Sequence, residues 1–199
     1  AEEIAGMSPE QVNAFYSSRI SATVVDITGK EITSEGVSAE KVEIAKDYKK
    51  PAEERAYPVF IYHAEGNPEA VESYIFPLYG AGLWDAIWGY LALDTDMNTI
   101  GGITLAHAGE TPGLGARITE AKVQERYVGK KIFDESGALV TVMMQKGEGK
   151  DYQNDAHKVD GMSGATITGV GVNNMLKAYL GCYESYIKSK SASKAVAEL

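Results

Sequence analysis

The chain has 199 residues, which is long enough for one large domain or two small ones with a buried core. Hydrophobic residues make up 44% and charged residues 24% of it, and this near-average composition argues against wholesale disorder. The net charge of -9 and the scattered Lys and Arg residues exclude the basic face that a nucleic-acid-binding protein needs, so we expect no nucleic-acid partner.

Cysteine usage and hydropathy narrow the class of protein further. Cys182 is the only cysteine, so the sequence allows neither an intrachain disulfide nor a cysteine-based metal site. The longest apolar region, Tyr74 to Leu93, is interrupted by Pro77 and Asp85 and does not predict a membrane-spanning helix. The histidines have no neighbouring ligand at metal-binding spacing, and we predict neither a metal site nor a catalytic residue.

The first part of the chain, residues 1–57, predicts a helix, a strand and a second helix that pack on a main domain of residues 58–199. Ser8-Pro9-Glu10-Gln11 is a capping box with proline at the first helical position, and it predicts a helix start. The predicted elements are a helix over Val12 to Ser18, a strand over Ile20 to Ile27 turned by Gly29, and a charged helix from Ser38 toward Tyr48 that Pro51 ends.

The main domain begins with strands that are separated by turn residues, and connections of this length favour antiparallel neighbours. The predicted strands are Tyr57 to His63, Ala70 to Pro77, Ala86 to Leu93 and Thr99 to His107, with a loop over Leu78 to Trp84 and a turn over Asp94 to Asn98. They are followed by a polar helix over Arg117 to Tyr127, a strand over Ala138 to Met144 and a polar loop over Gly147 to Val159.

A long final helix is predicted over Thr168 to Ser189, because its apolar residues, Val170 among them, recur at helical spacings. We expect Lys190 to Leu199 to be frayed. The elements together predict an α+β fold, in which a mostly antiparallel sheet is packed with helices and the long C-terminal helix follows residues 160–168.

The segment Asp160-Gly161-Met162-Ser163-Gly164-Ala165-Thr166-Ile167-Thr168 places one hydroxyl among small residues where this helix begins. The N-terminus of a helix attracts anions, and Ser163, Gly164 and Ala165 leave room for a phosphate. Thr166 is placed either to hydrogen-bond that phosphate or to be esterified by it. An ordinary helix cap is the alternative interpretation.

Two further segments combine glycines with residues that suit a flat ligand. Glu110-Thr111-Pro112-Gly113-Leu114-Gly115 predicts a tight loop whose bare backbone can lie against a ring. Gly80-Ala81-Gly82-Leu83-Trp84 places an aromatic residue after two glycines. Taken alone, the first segment is also typical of an ordinary strand-to-helix connection, and Trp84 of a core residue.

The pattern Asp-x-x-Ser-Gly-Ala-Thr, which ends at Thr166, resembles the flavinylation motif in which a flavin transferase links FMN through its phosphate to the last threonine. The order of Gly-Ala-Gly-Leu-Trp, Ala92-Leu93-Asp94, Asn98-Thr99-Ile100-Gly101-Gly102, Glu-Thr-Pro-Gly-Leu-Gly and Lys146-Gly147 before it resembles the C subunit of the sodium-translocating NADH:quinone oxidoreductase. The resemblance covers about residues 58 to 190 and is weaker before them. The G subunit of the Rnf complex is the nearest alternative, but it generally lacks the element Gly82-Leu83-Trp84.

The resemblance implies that Thr166 is the covalent FMN acceptor, joined to the flavin by a phosphoester. It implies a phosphate surrounded by Ser163, Gly164, Ala165 and Thr168. It also implies that the ribityl chain and isoalloxazine ring lie near Leu83, Trp84, Glu110, Thr111 and Leu114.

Two charged residues complete the predicted site. Lys146 is the candidate to counter the phosphate charge, because of its place in the Lys-Gly element and because an acidic protein needs a local cation; a solvated strand-end residue is the alternative. Asp160 is predicted to serve recognition by the transferase. Capping of the turn at Gly161 and metal coordination during transfer are the alternatives for Asp160.

The resemblance implies an electron-transfer subunit that is not catalytic alone. Its FMN receives electrons that began on NADH and passes them to another membrane subunit on the way to quinone. The expected partners are the other membrane subunits and, during maturation, a flavin transferase. The family is anchored in the inner membrane by one N-terminal helix with its globular part in the periplasm, so we expect this chain to be the soluble domain without that anchor. A stand-alone periplasmic flavin-carrying module and a plain structural domain are the other hypotheses.

Overall fold

The computed structural model describes residues 6–197, with side chains up to residue 192. The helices are α1 Pro9–Arg19, α2 Ile44–Asp47, α3 Ala121–Gln124 and α4 Thr166–Ala197, with short 3-10 turns at Ala39–Lys41, Ala52–Glu54, Gly115–Thr119 and Glu125–Tyr127. The strands are β1 Ile20–Val25, β2 Tyr57–Ala64, β3 Asn67–Ala81, β4 Ala86–Asp94, β5 Ile100–His107, β6 Met143–Met144 and β7 Lys158–Val159.

Strands β1 to β5 form one antiparallel sheet in which each strand pairs with the next along the chain. A separate parallel pair, β6 with β7, joins the segment after α3 to the segment before α4. The predicted α+β class, with its antiparallel sheet and long C-terminal helix, is therefore confirmed. Since β1 pairs with β2, the N-terminal part contributes an edge strand to this sheet, and the division at residue 57 stays a prediction.

Helix α4 covers one face of the sheet and packs against β3. Along β4, Ile87, Leu91 and Leu93 are buried while Trp88 and Tyr90 are exposed, which is the period of two expected for a sheet with one face packed on a core. The buried side chains of α4 include Val172, Met175, Leu176, Tyr179, Leu180, Tyr183, Tyr186 and Ile187. Because each of them stabilises the packing by roughly 1.5–3 kcal/mol, the first turn of α4 has a well-defined place relative to the sheet.

Two local predictions in the N-terminal part are confirmed. Ser8 Oγ accepts a hydrogen bond from the backbone N–H of Gln11 at 3.3 Å, and Gln11 Oε1 accepts one from the backbone N–H of Ser8 at 2.8 Å. This reciprocal pair is the capping box that starts α1. Gly29 turns the chain after β1 with a φ of +82°, a conformation that glycine adopts without strain.

The predicted loop over Leu78 to Trp84 is wrong in its first half, because β3 continues to Ala81 and only residues 82–85 form the turn into β4. Pro77 had indicated a break. Its ring is tolerated because the missing N–H would face β2, and the ladder between β2 and β3 has already ended at the pair Phe60 and Ile75.

Three other predicted elements are interrupted. The helix over residues 117–127 is broken at Glu120, and the helix over residues 38–48 is broken at Val42, both of which take extended backbone. Segments this short form helix only where tertiary packing supports it. The strand over residues 138–144 is reduced to Met143–Met144, because Thr141 has a φ of +60° that no strand accommodates.

Helix α4 is longer than predicted at both ends. It begins at Thr166 and continues to Ala197, so the prediction of fraying from Lys190 is wrong over residues 190–197, while residues 198 and 199 lie outside the described part. The segment contains neither proline nor glycine after Gly181, and Glu184 and Lys188 form an i,i+4 ion pair at 2.6 Å. Val170 differs from the rest of the predicted apolar stripe, because it is exposed.

None of the helices within residues 6–197 combines the length and the apolar character needed to cross a membrane.

The contact of α4 with the turn after β3 predicts a large difference between two glycines of the same helix. A Cβ at Gly171 would overlap the backbone carbonyl of Ala81, whereas a Cβ at Gly181 would meet nothing within 4 Å. We expect Gly171→Ala to lower the free energy of unfolding by about 1–3 kcal/mol through overpacking. The matched control Gly181→Ala is expected to raise it by up to about 1 kcal/mol, since alanine is the better helix former. Urea unfolding measures both, and equal effects of the two variants would contradict this account of the packing.

Candidate functional site

The carboxylate of Glu110 joins three segments that are distant in sequence. Glu110 is 4% exposed and lies in the tight loop after β5. Its Oε1 accepts hydrogen bonds from the backbone N–H groups of Leu83 at 2.8 Å and Trp84 at 3.0 Å, in the turn between β3 and β4. Its Oε2 accepts from Thr168 Oγ1, in the first turn of α4, at 2.5 Å. The turn, the loop and the helix start are therefore held together by one side chain.

Two glycines make room for this carboxylate. A Cβ at Gly82 would overlap Glu110 Oε1, and a Cβ at Gly115 would overlap both Glu110 Oε2 and Thr168 Oγ1. The glycines of both sequence segments are thus required by close packing around a buried charge. The need for glycine at these two positions therefore comes from the Glu110 carboxylate. It does not depend on a ligand approaching the bare backbone, which is what the sequence had suggested.

The hydrogen bonds set the protonation state of Glu110. Burial by itself raises the pKa of this carboxyl, but the bonds from Thr168, Trp84 and Leu83 outweigh it and bring the pKa below its ordinary value of 4.5. The loop is also tied at its start, because His107 Nδ1 accepts the backbone N–H of Glu110 at 3.1 Å. Glu110 is therefore an ionised, fully bonded anchor at neutral pH.

The start of α4 presents a hydroxyl to solvent. Thr166, its first residue, is exposed, as are Ser163 and Gly164 before it, whereas Ala165 is buried. Gly164 takes a φ of +73°, which turns the chain into the helix. The exposed Thr166 hydroxyl therefore lies beside the first backbone N–H groups of α4, which have no acceptor within the helix itself.

Large apolar side chains flank this helix start. Trp84 is 69% exposed, and Leu83 and Leu114 are each 42% exposed, although all three belong to turns held by or adjoining Glu110. Trp84 Nε1 donates to Thr111 Oγ1 at 3.2 Å, which links the indole to the opposite loop. Leu114 lies over Gly164, where a Cβ would come within 2.8 Å of its Cδ2. Exposed apolar groups on restrained turns form a surface suited to a flat ligand.

The structure brings most of the predicted site residues together at this place. The set comprises Leu83, Trp84, Glu110, Thr111, Leu114, Ser163, Gly164, Ala165, Thr166 and Thr168. Thr168, however, is 1% exposed and its hydroxyl donates to Glu110, so this side chain faces the interior. Lys146 lies just after β6 and is exposed.

Asp160 makes local backbone contacts. Its carboxylate accepts from the backbone N–H groups of Gly149 at 2.7 Å and Lys150 at 3.1 Å. It therefore fastens the preceding loop to the segment that leads to Thr166. The predicted role in recognition by a transferase stays a prediction.

Sequence reasoning missed three charged residues beside the segment that leads to Thr166. Glu148 Oε2 accepts a hydrogen bond from the backbone N–H of Ser163 at 3.1 Å. Arg117 donates two hydrogen bonds to the same carboxylate, from Nη1 at 2.9 Å and from Nη2 at 2.6 Å. Arg126 Nη2 also donates to Glu148, at 3.2 Å. The hydrogen bonds from Arg117, reinforced by that from Ser163, hold the pKa of the Glu148 carboxyl well below its usual range. No sequence signal marked these residues, because each lies in a polar stretch.

Comparisons with known proteins match the chain to an FMN-binding family. The sequence model of the family described as FMN-binding domain matches residues 82–181, which begin at the Gly82 turn and include the first half of α4. The chain is 33% identical over 187 residues to the C subunit of the Na(+)-translocating NADH-quinone reductase of Yersinia pestis, covering 88% of this chain and 69% of that protein. It is also 33% identical over 194 residues to the corresponding protein of Pseudomonas aeruginosa, covering 88% and 72%.

Two solved structures have the same fold. The crystal structure of the C subunit of the Na(+)-translocating NADH-quinone reductase from Parabacteroides distasonis aligns with a TM-score of 0.72 and 35% identity, covering 91% of this chain and 84% of that one. The crystal structure of Shewanella oneidensis NqrC aligns with a TM-score of 0.78 and 27% identity, covering 94% and 90%.

Fold and site thus define an FMN-binding domain. The chain belongs to the family of C subunits of the Na(+)-translocating NADH-quinone reductase. The resemblance stated from the sequence motifs is confirmed, and with it the classification as a subunit of an oxidoreductase complex.

The anchoring role of Glu110 predicts a pH-dependent loss of stability in Glu110→Gln. The amide cannot reproduce a carboxylate that accepts three bonds, so we expect a loss of about 1–3 kcal/mol at neutral pH. A carboxyl with a lowered folded-state pKa stabilises the protein above its unfolded-state pKa, and that contribution is lost as the pH falls through the folded-state value. The difference in unfolding free energy between wild type and variant should therefore shrink as the pH falls below 4.5.

Urea unfolding at a series of pH values measures this difference. Glu69→Gln, which replaces an exposed carboxylate in β3, is the matched control and should change stability little. A difference for Glu110→Gln that stays constant across the acid range would contradict an ionised anchor.

Proposed function

We propose that this chain carries FMN linked through its phosphate to Thr166 and relays electrons within a Na(+)-translocating NADH-quinone reductase. The observation that carries the proposal is the exposed Thr166 hydroxyl at the start of α4, beside apolar side chains that Glu110 holds in place. Membership of the FMN-binding domain family and of the C-subunit family supports both parts of it.

The described residues fit an FMN group. Phosphate suits the N–H groups at the start of α4, and the small residues Ser163, Gly164 and Ala165 leave it room beside Thr166. The flat ring suits the exposed faces of Leu83, Trp84 and Leu114. Lys146 remains the proposed countercharge for the phosphate, since its exposed side chain is long enough to extend the ammonium group toward a ligand at the surface.

Attachment requires a group transfer to Thr166. The bond that forms joins Thr166 Oγ1 to the FMN phosphorus, and the bond that breaks is a phosphoanhydride of a flavin dinucleotide donor. The nucleotide monophosphate leaves with the electron pair, and the hydroxyl proton passes to a base of the transferase or to solvent. A flavin transferase is therefore the proposed partner during maturation, with Asp160 as a recognition element.

Bound FMN supplies a centre that accepts and releases electrons. The role of this chain is to hold the FMN so that electrons from NADH pass to a neighbouring subunit. Trp84, Leu83 and Leu114 limit the access of water to the ring. No proton-transferring side chain is needed for that relay. We place the domain on the periplasmic side of the inner membrane. Free FMN is scarce there, so a dissociated cofactor would not be replaced, and covalent attachment prevents its loss.

The acceptor role of Thr166 predicts that Thr166→Val carries no covalent flavin. The chain is co-produced with an active flavin transferase, and flavin fluorescence is read from the denatured protein band, because a covalent flavin survives denaturation. We expect fluorescence in the wild type and its loss in Thr166→Val, with little change in stability since the side chain is exposed.

Thr166→Ser is the matched control, because it retains a hydroxyl at the same position and should retain at least part of the signal. Mass spectrometry then locates the modified residue. A wild-type chain that is unmodified at Thr166 in the presence of the transferase would refute covalent attachment.

The exposed indole of Trp84 predicts a spectroscopic effect. In the flavinylated protein, Trp84→Leu should shift the flavin absorption bands and the reduction potential, because an aromatic neighbour of the ring is replaced by an aliphatic one. Trp88→Leu is the control, since Trp88 lies farther along β4 and lines a groove with Ile44 and Tyr90. Redox titration measures both, and an unchanged potential and spectrum in Trp84→Leu would remove Trp84 from the flavin environment.

A further inference from the structure

A cluster formed by Arg117, Arg126 and Glu148 holds the segment that leads to Thr166 at several points. Arg126 Nη1 donates to the backbone carbonyl oxygens of Asp160 at 3.1 Å and Gly161 at 2.5 Å. Glu148 accepts the backbone N–H of Ser163 at 3.1 Å, two residues farther along. Both ends of residues 160–163 are therefore bound to the same cluster.

The cluster is itself internally bonded. Arg117 binds the Glu148 carboxylate in a bidentate pair, and Arg126 joins it at 3.2 Å through its second amino group. The side chains of Arg117, Arg126 and Glu148 are only 15%, 20% and 24% exposed, so the three groups are partly shielded from solvent. Bidentate, charge-assisted bonds between shielded groups impose a defined geometry as well as attraction.

The backbone on the two sides of the cluster is in close contact. A Cβ at Gly161 would overlap the carbonyl oxygens of Gln145 and Gly147, so the acceptor segment lies directly on the loop after β6 that carries Glu148. The Asp160 carboxylate binds the N–H groups of Gly149 and Lys150 and closes the loop from the other side. The segment thus has little freedom up to Gly164, where the chain turns into α4.

Both guanidinium groups of the cluster already have carboxylate partners. Arg117 also approaches Glu120 at 3.5 Å, and Glu120 pairs in addition with Lys122 at 3.1 Å. Because Arg117 and Arg126 are bound to carboxylates, the contribution of the cluster is to hold the acceptor segment in place.

We propose that Glu148, together with Arg126 and Arg117, positions the acceptor turn so that the Thr166 hydroxyl is presented to the incoming flavin phosphate. This proposal rests on the proposed function, because it assumes transfer to Thr166. The reacting hydroxyl must lie within a narrow distance and angle of the phosphorus, and misplacement by about 1 Å costs on the order of 100-fold in rate. Residues that fix the turn raise the transfer rate without touching the reacting atoms.

The test measures initial rates of flavin attachment with purified flavin transferase and flavin adenine dinucleotide, at increasing concentrations of the full chain. Glu148→Gln keeps the size of the side chain but removes the charge that binds both arginines. We expect its maximal rate to fall roughly tenfold or more, with a half-saturating concentration close to that of the wild type. Glu120→Gln is the matched control, since it also removes a carboxylate from Arg117 but does not touch the acceptor turn, and its rate should stay at the wild-type value.

Arg126→Lys is the second variant and covers the case in which Glu148→Gln fails to fold. It keeps the positive charge, but an ammonium group cannot reproduce the forked contacts to Glu148 and to two carbonyl oxygens. We expect the same loss of maximal rate, and thermal unfolding confirms that the measured variant is folded.

The outcomes separate this proposal from the proposed function. Absence of modification in the wild type refutes attachment itself. Attachment in the wild type with equal maximal rates in Glu148→Gln and Glu120→Gln overturns the positioning role and leaves attachment intact. A rise in the half-saturating concentration at an unchanged maximal rate also overturns it, because the cluster would then serve docking of the transferase.

Discussion

The site depends on one buried carboxylate. Glu110 is separated from Thr168 by 58 positions in the sequence, and from the Leu83 and Trp84 backbone by 27 and 26, yet it binds all three. Burying a charge is costly unless hydrogen bonds compensate it, and here two backbone N–H groups and a hydroxyl do so. Because these donors come from separate segments, satisfying the charge requires the segments to meet. The apolar side chains at the surface are a consequence of that meeting.

The fold places the proposed acceptor, Thr166, on a long helix that packs against the sheet. Helix α4 buries one face along the sheet, and its first turn emerges at the end of β3 where Gly171 contacts Ala81. A hydroxyl on such an element keeps its position better than one on a free loop. The residues proposed to cover a ring, Leu83, Trp84 and Leu114, instead lie on turns, where side chains are free to be exposed.

Two carboxylates near the start of α4, those of Glu110 and Glu148, have different structural roles. Glu110 lies beneath the helix start and joins it to the sheet turn, whereas Glu148 lies beside the preceding segment and joins it to Arg117 and Arg126. Between them Thr166 is exposed. An overall charge of -9 disfavours an incoming phosphate, so the N–H groups of the helix N-terminus carry much of its recognition in the proposed complex.

Local patterns in the sequence determined most of the strands of the sheet, the long C-terminal helix and the motif that contains the proposed acceptor Thr166. Each of these patterns depends on residues within a few positions of one another, so it can be recognised from the sequence alone. They are the capping box at Ser8, the alternation along β4, the spacing of apolar residues in α4 and the hydroxyl at Thr166. Tertiary structure alone decided that β3 continues past Pro77, that the Thr168 hydroxyl turns inward to Glu110, and that Glu148 meets two arginines. These features arise from contacts between distant segments, and the pairing of buried charges with their partners is set by how the segments pack and not by their spacing along the chain.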